Sequence, residues 1–146
     1  MTLDTTILAP AAVLILWSLI MLMWTAITRF SGMAKSGVDL KTAPPGGRGI
    51  NLEEILPPAT NWKSHNYTHL MEQPTLFYAV VAILALVGQS GGLNTQLAWG
   101  YVGIRVVHSI WQATVNTIPI RFSLFILSTL CLLALSIHAV MATMGH

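Results

Sequence analysis

Four long apolar stretches, separated by polar connections, make up most of the chain. They cover about residues 7–28, 66–88, 97–118 and 122–144. A helix that crosses a bilayer needs roughly 20 mainly apolar residues, and each stretch is long enough. The first and last contain no Asp, Glu, Lys or Arg, so neither has the polar face of a helix on a soluble protein. The pattern predicts an all-α membrane protein, a four-transmembrane-helix bundle that forms a single domain over residues 1–146.

Composition supports a lipid environment. Hydrophobic residues make up 54% of the chain and charged residues 8%, whereas soluble domains carry about a quarter charged residues. The formal net charge of +2 is too small for a nucleic-acid-binding surface. The single cysteine, Cys131, excludes an internal disulfide and is expected to be a small residue of an apolar helix.

Basic residues in the connections predict the orientation. The connection of about residues 29–65 is rich in Lys and Arg, the connection "QSGGLNTQ" has no charge, and Arg121 precedes the fourth stretch. Positive loops stay in the cytoplasm, so we expect a cytoplasmic loop at 29–65 and both termini on the other side. Asp4 before the first stretch and Arg29 after it favour an uncleaved helix over a signal peptide. The expected location is a multi-pass position in a bacterial inner membrane.

Polar residues open the second stretch, "SHNYTHLMEQP". In a helix that starts near Ser64, His65, His69 and Glu72 lie at i, i+4 and i+7 on one face. Pro74 cannot donate to the carbonyl four residues earlier, which predicts a bend there.

The third stretch has a comparable stripe, and Arg105 within it makes it the weakest of the four predicted spans. The stripe comprises Tyr101, Arg105, His108, Gln112 and Asn116. Charged groups in a membrane helix normally face a partner or a water-filled cavity. Helix geometry then predicts that both polar faces meet in the cytoplasmic half.

Each of these polar groups also has a purely structural interpretation. Arg105 is long enough to reach Glu72, and that pair would bind a ligand or only neutralise two buried charges. His108 and Gln112 would bind a ligand or connect helices by hydrogen bonds. Tyr101 and Asn116 are expected to be structural, and His138 in the last stretch is expected to bind a backbone carbonyl.

The motifs "HLMEQP" and "RVVHSIWQ", with Arg121 nine residues after Gln112, resemble the MAPEG family. These are the membrane-associated proteins in eicosanoid and glutathione metabolism, including microsomal glutathione transferases and prostaglandin E synthase. The prostaglandin-synthase branch has Arg-x-x-His-x-x-x-Tyr and then an arginine that opens the fourth helix. Arg105, His108, Gln112 and Arg121 stand at those four places.

The resemblance implies a homotrimer with glutathione as cofactor, bound between subunits and open to the cytoplasm. It implies that Glu72 binds the glutathione amino group, and that Arg105 and His108 frame the pocket. Arg121 would be the catalytic residue that holds the thiolate, which a guanidinium favours. Arg29 matches a family arginine at the end of the first span, and His69 and Gln112 complete the expected cofactor-binding residues.

Two departures from the family pattern bear on function. The second helix of the family usually reads Arg-Asn-x-x-Glu, whereas Thr68 and His69 occupy the first two places here, and Gln112 replaces the tyrosine. One hypothesis is a glutathione-dependent transferase or peroxidase that acts on a lipophilic electrophile from the bilayer. The alternative is a non-catalytic scaffold or an accessory subunit of a larger membrane complex.

A metal or haem site is the third hypothesis. His65, His69 and Glu72 share a face, and His108 would add a fourth ligand. The zinc-protease pattern needs Glu directly after the first His, and Asn66 stands there instead. No metal is therefore assigned.

Overall fold

Four helices form a single bundle in the computed structural model, which describes residues 4–145. The helices are α1 (Leu8–Ser36), α2 (Pro58–Leu86), α3 (Leu93–Thr114) and α4 (Ile118–Met144). A short 3-10 helix, Gly49–Leu52, lies in the connection between α1 and α2. The prediction of an all-α fold with four long helices is confirmed.

Proline and glycine set several of the helix boundaries. Pro57 is extended and Pro58 is the first residue of α2, where a missing N–H costs nothing. Gly37 ends α1 in the left-handed conformation with φ 69°, and its N–H donates to the carbonyl of Met33. Local sequence therefore fixes both ends of the α1–α2 connection.

Successive helices of the bundle run in opposite directions. Residues 87–92 join α2 to α3 and residues 115–117 join α3 to α4, and connections this short make neighbouring helices antiparallel. The loop end of the bundle, as we call it, carries the connection 37–57 and the turn 115–117. The opposite end, the terminal end, carries Asp4, the turn 87–92 and the end of α4.

Helices α2 and α3 occupy the middle of the bundle. Each packs against the other and against both α1 and α4, whereas α1 and α4 are not neighbours within residues 4–145. Large apolar side chains fill the interior, with the rings of Phe77 and Tyr101 stacked at a centroid distance of 4.4 Å. Leu14, Met21 and Leu135 are also completely buried there.

The outer surface of the bundle is apolar. Leu16, Met23, Ile27, Leu76 and Leu133 are all more than half exposed. Contiguous apolar surface on this scale is not found on monomeric soluble proteins. Because lipid tails are equally apolar, the surface suits a bilayer.

Three of the four helices, α1, α2 and α4, are long and apolar enough to cross a membrane. Helix α3 does not meet that criterion, and its polar residues include Asn94, Arg105, His108 and Gln112. All four of these side chains are buried inside the bundle. A membrane-crossing α3 therefore stays a prediction, but its polar side chains are covered by protein.

Helix bounds differ from the expected spans at the loop end. Helix α2 begins at Pro58 rather than near Ser64 and continues as one helix through Pro74, and α1 extends to Ser36. The connection is therefore 37–57 rather than 29–65. Hydropathy detects only the apolar part of a helix, whereas these helices extend past it into polar residues.

Candidate functional site

Side-chain hydrogen bonds connect α1, α2 and α3 below the loop end of the bundle. The hydroxyl of Ser109 on α3 accepts hydrogen bonds from Trp17 Nε1 of α1 at 2.9 Å and from Asn66 Nδ2 of α2 at 2.7 Å. Asn66 and Ser109 are completely buried. Buried polar groups that are hydrogen-bonded in this way fix helix register.

An open cavity of about 500 Å³ lies at the loop end, above these hydrogen bonds. A cavity of this size is in the range of small-molecule sites, about 300–1,000 Å³. Its walls come from α1, the 3-10 segment, α2 and α3. The lining residues are Arg29, Gly49, Ile50, Glu53, Ser64, His65, Thr68, His69 and Gln112.

Arg29 closes the cavity on the α1 side. Its Nη2 donates to the carbonyl of Gly49 at 3.1 Å. A Cβ on Gly49 would lie 2.3 Å from Nη1 of Arg29, so the guanidinium packs directly on the glycine backbone. A side chain at position 49 would therefore displace the Arg29 guanidinium from this place.

A second contact ties the same segment to α2. His65 Nε2 lies 2.8 Å from Glu53 Oε1, with both side chains partly exposed. Arg29 and His65 thus hold the 3-10 segment from two sides. The segment forms one wall of the cavity because of these two contacts.

Two predicted histidines meet between α2 and α3. The rings of His69 and His108 lie 5.6 Å apart, and Phe125 of α4 packs edge-on to His69 at 5.8 Å. His69 lines the cavity, whereas His108 is almost fully buried beside it. The predicted convergence of the two polar faces therefore holds for this pair.

Arg105 is completely buried next to the histidines. Its Nη2 donates to the main-chain carbonyl of His69 at 3.0 Å, and its guanidinium lies 5.8 Å from the ring of Phe125. Its Nε and Nη1 have no hydrogen-bond partner within residues 4–145. Arg105 is not among the residues that line the cavity.

The expected pairing of Glu72 with Arg105 is wrong for the single chain. The Glu72 side chain is 61% exposed, and it lies 3.9 Å from His69 Nε2. Arg105 binds the His69 carbonyl instead because its side chain lies inside the bundle while Glu72 points outward. Neither residue lines the cavity.

Gln112 and Arg121 are the last two predicted site residues, and they lie in different surroundings. Gln112 is buried at the cavity wall, and its Oε1 has no partner among the described residues. Arg121 is in the first turn of α4 and donates from Nη1 to Asn116 Oδ1 at 2.5 Å. Asn116 is not on the α3 stripe as expected, because α3 ends at Thr114 and Asn116 adopts φ 57° in the turn.

Sequence reasoning missed the wall formed by the connection. Gly49 and Glu53 showed no periodic signal, since the contact of Glu53 with His65 spans twelve positions that include the irregular turn before α2. The side chain of Asn51 in the same connection accepts from the N–H of Arg48 within the 3-10 turn. A possible signal was the glycine cluster "PPGGRG" beside a basic helix end.

The hypothetical metal ligands do not assemble around one point. His65 contacts Glu53, and His69 is turned toward His108 and Glu72. Within residues 4–145 there is no group of three His, Cys, Asp or Glu side chains that could hold a metal ion.

Comparison with known proteins supports the resemblance noted from the motifs. The MAPEG family model matches residues 7–141 of the 146-residue chain. No curated protein and no solved structure matches the chain. The match spans all four helices and includes every predicted site residue. The chain therefore belongs to the MAPEG family.

Proposed function

We propose that the chain is a glutathione-dependent transferase of the membrane that conjugates a lipophilic electrophile. The single observation that carries the proposal is the cavity at the loop end, with Arg29, His65 and His69 in its walls. Glutathione has two carboxylates, one ammonium group and a thiol. The cavity also contains the Glu53 carboxylate in contact with His65, so the guanidinium of Arg29 is the cation that the lining offers to a glutathione carboxylate, with which it can form paired hydrogen bonds.

Arg121 is the proposed thiolate-stabilising residue. Its guanidinium is held at the loop end by Asn116, and a positive charge near a thiol favours the thiolate. The thiolate would attack the electrophilic carbon and form a C–S bond, while the leaving group departs with its bonding electron pair. The thiol proton would pass to solvent at the open mouth of the cavity.

The position of Glu72 supports assembly of several chains, which we propose to be a homotrimer. Glu72 is 14 residues from the start of α2, so it lies about 21 Å along a helix of about 43 Å. An ionised carboxylate exposed to hydrocarbon at that depth is costly. A neighbouring subunit that covers Glu72 removes this cost and would bring the carboxylate to a site between subunits.

Calorimetry of glutathione binding to the purified protein in detergent tests the proposal. We expect saturable binding and a thiolate absorbance that disappears in Arg121→Ala. Arg48→Ala is the matched control, since it removes another positive charge at the loop end from an exposed arginine. Neither Arg48 nor Arg121 is in the cavity lining, so the comparison tests the position of Arg121 rather than the loss of charge. Absence of saturable binding to the wild-type protein would end the proposal.

An accessory role is the second candidate, favoured by Gln112. An amide N–H is a weaker acid than a phenol O–H, so it stabilises a thiolate less well than the family tyrosine would. The accessory role predicts glutathione binding or partner co-purification without turnover. Conjugation of glutathione to chlorodinitrobenzene by the isolated protein would exclude it.

A further inference from the structure

A second cavity, of about 470 Å³, lies at the terminal end of the bundle, opposite the proposed glutathione site. The α2–α3 turn, the first turn of α3 and the end of α4 form its walls. The lining residues are Gln89, Gly91, Leu93, Asn94, His138, Met141 and Ala142. The proposed transfer reaction does not use these residues.

A chain of hydrogen bonds fixes His138 in this cavity. Asn94 Nδ2 donates to the main-chain carbonyl of Gln89 at 2.9 Å, which leaves Asn94 Oδ1 to face the imidazole. Oδ1 lies 2.6 Å from His138 Nδ1. Because a carbonyl oxygen cannot donate, Nδ1 must carry the proton in this contact. The expectation that His138 binds a backbone carbonyl is therefore wrong.

This arrangement leaves Nε2 of His138 with a free lone pair in the neutral imidazole. Nε2 has no hydrogen-bond partner within residues 4–145. An imidazole held in one tautomer is a preorganised acceptor, and it loses little freedom when a donor arrives. The complementary group on a ligand is a hydrogen-bond donor such as a hydroxyl.

Depth and lining narrow the class of ligand further. His138 is six residues before the end of α4, so it lies about 9 Å from that end. Helix α4 is about 40 Å long, against a hydrocarbon core of about 30 Å. A centred helix would place the imidazole near the boundary between acyl chains and head groups, where exposed Leu93 and Met141 offer apolar contact.

Charge disfavours an anionic or metallic ligand. The lining contains no Lys or Arg, and His138 is its one titratable side chain. A Cβ on Gly91 would lie 3.9 Å from Asp4 Oδ2, so a carboxylate stands at the rim. A phosphate would meet this carboxylate without a compensating cation, and a metal ion would find one nitrogen ligand in the lining.

We propose that the terminal-end cavity binds a neutral membrane amphiphile whose head group donates a hydroxyl to His138 Nε2. The apolar body of the ligand lies against Leu93 and Met141. Two sources offer this chemistry, the glycerol hydroxyl of a diacylglycerol and the phenolic hydroxyl of a quinol. The proposal is independent of glutathione binding at the other end.

The test uses full-length protein with ¹⁵N-labelled histidine in phosphatidylcholine nanodiscs. The probes are dioctanoylglycerol, a benzoquinol with a short alkyl tail, and 3-acetyl-1,2-dioctanoylglycerol, which has no hydroxyl. We expect a saturable shift of the His138 Nε2 resonance with at least one hydroxyl-bearing probe and none with the acetylated one. The responding probe identifies the source.

Variants distinguish a hydrogen bond to His138 from non-specific partitioning of the probe into the apolar part of the cavity. His138→Phe keeps a ring but removes the acceptor and is expected to weaken binding about three- to tenfold, the range for one hydrogen bond. His65→Phe, a histidine at the loop end, serves as the matched control and leaves this binding unchanged. Glutathione binding of His138→Phe stays at the wild-type level.

Two results would overturn the proposal. One is no shift with either hydroxyl-bearing probe. The other is an equal shift with the acetylated probe, which would mean apolar adsorption alone. Both use the wild-type protein, so poor folding of a variant does not affect the decision.

Discussion

Replacement of Gly49 by alanine tests whether Arg29 must lie on the loop backbone to bind glutathione. The new Cβ would be 2.3 Å from Arg29 Nη1, whereas ordinary contact begins at 3.4 Å. The guanidinium must therefore move by the difference between these distances, about 1.1 Å. A shift of that size weakens the 3.1 Å bond from Nη2 to the Gly49 carbonyl and displaces the guanidinium within the cavity wall.

The energetic effect follows from the proposed hydrogen bond between Arg29 and a glutathione carboxylate, which the displaced guanidinium would lose. Hydrogen bonds to charged groups contribute about 1.5–3 kcal/mol, and Arg29 is only partly buried, so we take about 1 kcal/mol. Since about 1.4 kcal/mol corresponds to a factor of ten, the dissociation constant for glutathione should rise about fivefold. Calorimetry at constant pH and salt measures it directly.

A double-mutant cycle shows whether the effect passes through Arg29. In an Arg29→Ala background, Gly49→Ala should change glutathione affinity little, because the clashing group is gone. Gly47→Ala is the matched control, since its Cβ would meet only Pro44 O at 3.4 Å. Wild-type affinity in Gly49→Ala, or an equal loss in both backgrounds, would refute the assignment of Arg29.

Three further changes test other parts of the structure. Phe77→Ala removes a completely buried ring and should lower the free energy of unfolding by about 3–5 kcal/mol in detergent; a loss below about 1 kcal/mol would contradict the packing. Glu53→Gln should weaken the contact with His65 by less than about 1 kcal/mol and increase proteolysis of the connection 37–57, whereas unchanged cleavage rates would show that the contact does not hold the loop. Gln112→Tyr restores the family hydroxyl and should raise the bound thiolate fraction and conjugation rate, while unchanged absorbance would exclude a thiol at that wall.

The helices were predictable from sequence, but their ends at the loop side were not. Apolar runs of about 20 residues predict a spanning helix through hydropathy alone. The first two turns of α2 contain polar residues such as Asn61 and Lys63, which form helix here because Pro58 starts it and protein covers Asn61. Hydropathy cannot detect a helix that is stabilised by contacts with a distant loop.

The candidate site was predictable from the sequence only in part. Helical spacing placed His69 and His108 on faces that meet, and their rings are neighbours. Spacing did not determine how each helix is rotated about its own axis. It therefore predicted that Glu72 faces Arg105, whereas Glu72 points away from the bundle. A rotation of one residue position, about 100° in a helix of 3.6 residues per turn, is enough to move a side chain from inside to outside.

The sequence by itself determined the number of helices, the apolar exterior and the family, because these depend on composition and spacing within single segments. Tertiary structure alone decided the cavity wall made by Gly49 and Glu53, and the tautomer of His138 set by Asn94. These features depend on contacts between segments far apart in the chain. Such contacts are fixed by packing and hydrogen bonding between helices, which no periodic pattern within one segment encodes.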